Sequence, residues 1–515
     1  MLLLHQRYYQ YHNLVKRILT IVFLGLLTYF PIFFNGFVWD DEEMFRKGIS
    51  IQTNAYFRPV ISAIYWGIYN IFGPKPFFFH FFQLIFHIIV AILIYYLFKR
   101  FFKEVIALIL ALIFLVHPTN VEAISFASAM QEVTFTLVGI AGSYIFVSSK
   151  KLSIAKVCVV VLLLLTALLM KETAIVFFIL VFCYLLLFKR GNQPILIDYS
   201  ILTVILLMGY YLFRVSGGNL YIQGQGIFPI MRVPLLTRLM NIPMIIEYYL
   251  SKFFYPMNLG ISQNWVVKSI NFNNFFLPLI SEILFFAAAV IYSIKKRDKI
   301  FLFFLLWFLI GLLPHLQIIP LNMTVAERWL YFPMIGALGM IGSALNKFEI
   351  RNSKFEKYFI TFALIIISIF SVRSFVRTLD WKSGLSLFSR DIRTDSSFDL
   401  QSNYGTELSR IGRYKEAKEY FEISIELAPY WWVNWNNLGV VYAREKNYQK
   451  AIEYFQKSIA NGQYYLAYEN LAKILVLYGN DQKKTEEFLQ RALRLFPENK
   501  NLILINSNFQ EKKKK

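Results

Sequence analysis

The chain has 515 residues, 57% of them hydrophobic and 18% aromatic, with a mean hydropathy of +0.49. That composition is too apolar for an ordinary soluble domain and indicates a polytopic membrane protein. The net charge of +21 would suit a nucleic-acid binder, but Lys and Arg in a membrane protein collect in cytoplasmic loops, so no nucleic-acid partner is expected.

The N-terminus carries a basic flank (Arg7, Lys16, Arg17) followed by an apolar run over 18–36 with no small-residue cleavage site. It reads as a retained first span rather than a signal peptide. Further runs lie at 77–98, 104–117, 132–148, 154–169, 172–189, 197–213, 275–294, 300–318, 329–347 and 357–375. A span needs about 20 residues, so the shorter runs must borrow from their flanks. Cys158 and Cys183 fall inside such runs, and no disulfide is expected. Residues 235–256 carry Arg238, Glu247, Lys252 and two prolines, which fits a helix lying on or re-entering the membrane.

Charge decides the topology. With eleven spans and a cytoplasmic N-terminus, six inner segments, the last of them 347–357, hold 19 Lys and Arg. The opposite loops are far longer yet hold 11. A twelfth span at 235–256 would move KKRDK (295–299) outside and spoil this asymmetry, so the C-terminus is expected outside.

That topology puts four polar clusters on the extracytoplasmic face: WDDEE (39–43), HPTNVEA (117–123), Lys171-Glu172 and AERW (326–329). Ionisable groups are costly beside lipid and tend to mark function. Four such loops on one face are expected to assemble one site; the alternative is that each merely solvates a turn.

After Phe375 the hydropathy collapses and a 34-residue repeat begins. Ala417, Ala451 and Thr485 keep that spacing, as do Phe421, Phe455 and Leu489. Gly405 and Gly439 repeat it, and Pro429 and Pro497 stand two periods apart. Paired helices with small residues at their crossing and a closing proline are the tetratricopeptide pattern. The expected domains are a membrane domain (1–376), a tetratricopeptide domain (377–505) and a basic tail (506–515). The repeats are read as a half-repeat at 381–395 and units at 398–431, 432–465 and 466–499. Such units stack into a solenoid whose concave face suits extended peptides.

FVWDDEEMF (37–45), YFRPV (56–60) and the helix stripe His80, Gln83, His87 resemble the opening of the transmembrane-and-tetratricopeptide-repeat O-mannosyltransferases. LVHPTNVEAIS (115–125), MKETAIV (170–176), AERWLYFPMIG (326–336) and the Trp381 segment continue the resemblance in order, so that it covers about 20–500. The chain departs from the family in a shorter repeat array, and in Ala129-Met130-Gln131 where an arginine is expected. The resemblance implies an all-α fold: a GT-C-like bundle of about eleven spans, then an α-solenoid. It also implies a glycosyltransferase that passes a hexose such as mannose from a polyprenyl-phosphate to a protein or glycan hydroxyl on the extracytoplasmic face.

Such a reaction needs a general base for the acceptor hydroxyl, and Asp40 or Asp41 would serve, with Asp40 favoured. It also needs fixed cations for the leaving phosphate. Arg328 is the first candidate, since a guanidinium grips phosphate in a fork, and Lys171 and Arg58 follow. A monophosphate donor can be stabilised by side chains alone, so neither metal nor cofactor is expected. Glu327, His117, Glu122, Glu172, His80 and His87 are read as supporting residues. For the histidine stripe, hydrogen bonding between helices is the competing explanation, and Glu172 would pair with Lys171. Two other classes remain: a non-catalytic membrane scaffold built on the repeats, and a lipid-linked oligosaccharide ligase or polymerase, which would want more basic residues around the site. The terminal EKKKK reads as a solvated tail.

The topology has a direct test. Cysteines introduced by Gly36→Cys and Ser507→Cys should both react with an impermeant thiol reagent in intact cells; protection of either would sink the eleven-span arrangement.

Overall fold

A computed structural model describes residues 2–46, 57–189, 191–216, 226–347 and 353–514. Tyr56 of the YFRPV motif, 348–352 of the last inner segment and Lys515 of the terminal run lie outside the described residues. The fold is all-α, with no strand among the described residues. The chain divides into two compact units, Met1–Ser383 and Gly384–Lys515.

The first unit runs α1 (Leu2–Thr28), α2 (Asp40–Arg46), α3 (Pro59–Phe72), α4 (Pro76–Phe98), α5 (Glu104–Val116), α6 (Asn120–Ser125), α7 (Met130–Ser148) and α8 (Ile154–Leu168). It continues with α9 (Ile175–Phe188), α10 (Gln193–Ser216), α11 (Leu235–Phe254), α12 (Leu277–Lys295), α13 (Lys299–Leu312), α14 (Pro333–Lys347) and α15 (Ser353–Asp380). Helices at 76–98, 127–148, 193–216, 272–295 and 357–380 are long and apolar enough to cross a bilayer, and each covers one of the predicted spans. The predicted spans at 104–117, 154–169, 172–189 and 300–318 correspond to shorter apolar helices.

Helix α3 was not foreseen as an element. Pro59 starts it, Gly73 at φ +73° ends it, and Pro76 starts α4 three residues later. It buries Ile61, Tyr65 and Ile68 and exposes Trp66 and Ile71. The Val60 amide donates to the Leu169 carbonyl, at the end of α8, and the Tyr65 hydroxyl to that of Ala127. The helix therefore ties together loops at one end of the bundle.

Small residues set the spacing inside the bundle. A Cβ on Gly336 of α14 would stand 2.4 Å from the Phe308 amide nitrogen of α13, and one on Gly339 would stand 2.2 Å from the Phe304 ring. Without a hydrophobic force between helices in lipid, close contact of this kind is what holds them. Helix α10, by contrast, exposes Ile201, Val204, Ile205 and Met208, as a lipid-facing helix does.

The second unit comprises α16 (Gly384–Asp391), α17 (Phe398–Arg410), α18 (Tyr414–Leu427), α19 (Trp432–Arg444), α20 (Tyr448–Asn461), α21 (Tyr465–Tyr478), α22 (Gln482–Leu495) and α23 (Lys500–Lys514). Helices α17 to α22 pack as successive pairs, α17 with α18, α19 with α20 and α21 with α22. Ala417, Phe421, Ala451, Phe455, Thr485 and Leu489 are buried, and a Cβ on Gly439 would meet the Phe455 ring at 2.7 Å. One hydrogen bond recurs with the period: the Ser424 hydroxyl donates to the Phe398 carbonyl, and the Ser458 hydroxyl to that of Trp432 at 2.7 Å. Trp431 meets Phe398 edge-on, and Trp432 packs over Gly462, so both serve the solenoid's packing.

Three expectations at the junction and the end are revised. Trp381, read as the start of a half-repeat, is fully buried in the first unit, 5.9 Å from the Phe126 ring. Residues 373–380, across the expected domain boundary at 376, complete α15 and bury Ser374, Arg377 and Thr378. The basic tail is helical as far as Lys514, because α23 buries Leu502 and Phe509 against α21 and α22 and Lys513 pairs with Glu486 at 2.7 Å.

The α13–α14 contact can be tested. Gly336→Ala forces backbone apart where no side chain can yield, and overpacking of this sort costs about 1–3 kcal/mol. Unfolding of the detergent-solubilised chain should show a lowered transition for the membrane unit while that of the repeat unit stays in place.

Candidate active site

The polar clusters meet at one end of the first unit, where α5, α8 and α15 finish and α4, α7 and α14 begin. Asn35 donates to the Thr378 carbonyl at 3.0 Å, Ser374 to the Val116 carbonyl at 2.7 Å, and Gln83 to the carbonyls of Ala123 and Phe126. The opposite end is held by other charges: Glu104 with Arg17 and Lys99, and Asp298 with Lys347 and Ser343.

The acidic stretch enters through a strained residue. Trp39 adopts φ +54°, a left-handed conformation that bulky side chains rarely take, and stacks on Phe126 at 5.7 Å. Helix α2 starts at the next residue and sends the two aspartates different ways. Asp41 is fully buried. Its carboxylate accepts from the Ala127 amide (3.1 Å), the Ser128 amide (2.7 Å) and the Ser128 hydroxyl (2.5 Å). Burial outweighs these bonds, with Asp40 adding repulsion, and pushes the Asp41 carboxyl up to about 7. Asp40 is exposed.

Arg328 lies in a short turn, Glu327–Leu330, ahead of α14. Glu122, on α6, takes the Arg328 amide at 2.8 Å on one oxygen and the guanidinium on the other. The guanidinium sits over the Phe126 and Trp329 rings at 5.9 and 5.8 Å. Burial disfavours its charge, but Glu122, Glu132 and Asp40 more than compensate and hold it protonated. Glu327 points elsewhere and accepts from the Gly260 amide at 2.5 Å.

Lys171 and Glu172 do not pair with each other. Lys171 is extended, so successive side chains diverge. Its ammonium reaches Glu132 at the head of α7 and lies 5.7 Å from the Phe135 centroid. Burial pulls the lysine down and Glu132 opposes it. Glu172 instead takes Arg58 at 2.8 Å and Arg214 at 3.4 Å, clasping the starts of α3 and α9 to the end of α10.

The remaining supporting residues are structural in their contacts. His87 donates from Nε2 to the Leu115 carbonyl (2.9 Å) and meets the Tyr331 hydroxyl at Nδ1 (2.8 Å). His117 donates from Nε2 to the Phe253 carbonyl (3.1 Å) and meets Thr119 at Nδ1 (2.8 Å). His80 bonds the Gly36 carbonyl at 3.3 Å. Arg328 and Glu122 thus meet beside Phe126, on which Trp39 stacks, and Asp40, Glu132 and Lys171 act electrostatically on this group. Glu132 and Arg214 went unnoticed in the sequence because each sits at the end of an apolar run, where a charge passes for a boundary.

Residues 58–213 match the model of the dolichyl-phosphate-mannose-protein mannosyltransferase family, and 399–430 and 434–465 each match a tetratricopeptide repeat model. The first match includes Arg58, Glu122 and Lys171 but neither Asp40 nor Arg328. The chain is similar to two Drosophila melanogaster proteins. With "Protein O-mannosyl-transferase Tmtc2" it is 30% identical over 106 residues, 21% of this chain and 11% of the relative. With "Protein O-mannosyl-transferase Tmtc3" it is 27% identical over 124 residues, 24% and 13% of the two. With "Protein O-mannosyl-transferase F38B6.6" of Caenorhabditis elegans it is 21% identical over 451 residues, 81% of this chain and 63% of the relative. The chain thus spans less than two thirds of the length of each of these curated relatives. The chain is thus similar to dolichyl-phosphate-mannose-protein mannosyltransferases in its membrane unit and to tetratricopeptide repeats in its second unit, and the relatives it resembles carry the name of O-mannosyl-transferases.

Proposed function

We propose that the protein is a membrane glycosyltransferase that moves a hexose, in all respects of its family likeness mannose, from a polyprenyl-phosphate carrier to a polypeptide hydroxyl on the extracytoplasmic face. One observation carries this reading: Glu122 holds a largely buried cation, Arg328, over the Phe126 ring, and Trp39 stacks on that same ring with the exposed carboxylate of Asp40 at the next position. That is the pair of charges a sugar transfer from a lipid phosphate requires.

In this reading Asp40 takes the proton of the acceptor hydroxyl as its oxygen attacks the anomeric carbon. The bond from that carbon to the phosphate oxygen breaks, and its electron pair stays on the departing lipid phosphate. Arg328 meets the charge that grows there, aided by Lys171. A guanidinium already braced by Glu122 needs no reorganisation at that moment. Asp41 acts through position: bonded to Ala127 and Ser128, it fixes the turn that aims Asp40. The repeat unit holds the polypeptide acceptor, the role its extended concave surface favours.

Three measurements bear on this. Asp40→Asn keeps size and hydrogen bonding but removes basicity, and should lower transfer by about 10²–10⁴-fold with donor-lipid binding intact. Normal transfer in that variant would remove the reading's centre. Arg328→Ala would leave Glu122 buried without its partner, so Arg328→Lys is the cleaner change. It keeps the charge and loses the fork, and should weaken both polyprenyl-phosphate binding and rate. Finally, deleting 384–515 should reduce transfer to protein far more than donor hydrolysis; equal loss of both would leave the repeats a stabilising role alone.

A further inference from the structure

His315 belongs to none of the clusters that the sequence brings forward. It ends the short turn Leu313–His315 that follows α13, and it is buried, with 5% of its surface exposed. Its ring stacks on Trp329, the neighbour of Arg328, at 4.9 Å with 11° between the planes. Lys171 and Arg328 both act on it electrostatically. Both cations favour the neutral imidazole, which carries one ring N–H and one lone pair.

Its hydrogen bonding sets it apart from His87 and His117, while His80, whose Nδ1 is also unpaired, meets the Gly36 carbonyl through Nε2. His87 and His117 use both ring nitrogens, each donating to a backbone carbonyl and meeting a hydroxyl. These are the satisfied histidines of a helix bundle. The Nδ1 of His315 is buried with no partner among the described residues. The loop joining it to Arg328 is also held firmly. Gln317, at φ +61°, donates to the carbonyls of Met323 and Thr324 at 2.7 and 2.9 Å and accepts from the Leu321 amide at 2.9 Å. Arg238 clamps the Gln317 carbonyl at 3.0 Å. The unpaired nitrogen and the guanidinium are thus fixed relative to each other by a loop with little freedom to move.

We propose that His315 is a third ligand of the donor phosphate, its ring N–H donating to a phosphoryl oxygen that Arg328 and Lys171 also hold. The inference rests on the donor reading above. An imidazole carries an N–H in either protonation state, so the contact requires no proton transfer. As the bond from the anomeric carbon to the phosphate oxygen breaks, the electron pair passes to the phosphate. The acceptor's proton goes to Asp40, and His315 keeps its own. The stack on Trp329 fixes the ring plane, which makes the donor preorganised rather than recruited.

The test uses the full chain in detergent, with polyprenyl monophosphate as the binding probe and a polyprenyl-phosphate mannose as the donor. His315→Phe preserves the stack and removes the N–H. It should weaken binding of the monophosphate by about tenfold or more and lower kcat by about 10²-fold, with the KM for acceptor within about twofold. His315→Asn, which offers an N–H near the same place, should recover part of both, whereas a merely structural ring would not be rescued by an amide. Should the Phe variant not fold, His315→Met is read in the same way. Wild-type affinity for the monophosphate in either variant overturns the inference alone. A wild-type protein that fails to bind the monophosphate overturns the donor reading itself, and this inference with it.

Discussion

The grip of Glu122 on Arg328 is the contact on which the loop-bearing end of the bundle depends. It joins residues 206 apart in sequence and takes both the amide and the guanidinium of one arginine. Charges removed from water on this scale are expensive, and their mutual attraction compensates only when the geometry is good and the remaining lone pairs are used. The two oxygens of Glu122 meet that condition, and the Phe126 and Trp329 faces cover the guanidinium. Because the turn bearing Arg328 leads directly into α14, whatever holds α14 against α13 also sets where the cation stands.

Around that pair the polar groups divide by their duties. Asp41, Glu172 and Glu327 each satisfy buried backbone or basic groups and fasten one loop to another. In the sequence Asp41 reads as catalytic and Glu172 and Glu327 as supporting because they fall in the same polar loops, yet their oxygens are already engaged. The strained backbone at Trp39 fits the same division, since it leaves the first aspartate out and turns the next one inward.

Much of this was legible before any coordinates. Hydropathy marks the five long helices, and the 34-residue period marks the three helix pairs. The order of the loops WDDEE, HPTNVEA and AERW anticipates that Asp41 and Asp40, Glu122 and Arg328 share one end. What failed to show in the sequence has physical causes. Helix α3 is apolar but too short for a span, so its run of 14 residues reads as loop. Pairing of Lys171 with Glu132 instead of the adjacent Glu172 follows from an extended backbone, a matter of dihedral angles that spacing does not reveal. Trp381 looked like a repeat residue because its neighbours are polar, but its burial against Phe126 is decided by a helix ending some 250 positions away from that ring.

The contrast between α14 and α10 reaches beyond this one chain. Where Gly336 and Gly339 lie bare against Phe308 and Phe304, even a methyl group has nowhere to go. Where α10 shows Ile201, Val204 and Ile205 outward, the surrounding hydrocarbon asks only that the residue be oily. Over evolutionary time the two helices will therefore age at different rates. Drift should erase the letters of α10 while keeping its character, and should leave the glycines of α14 nearly untouched, so that divergence itself becomes a map of which surfaces meet protein and which meet lipid.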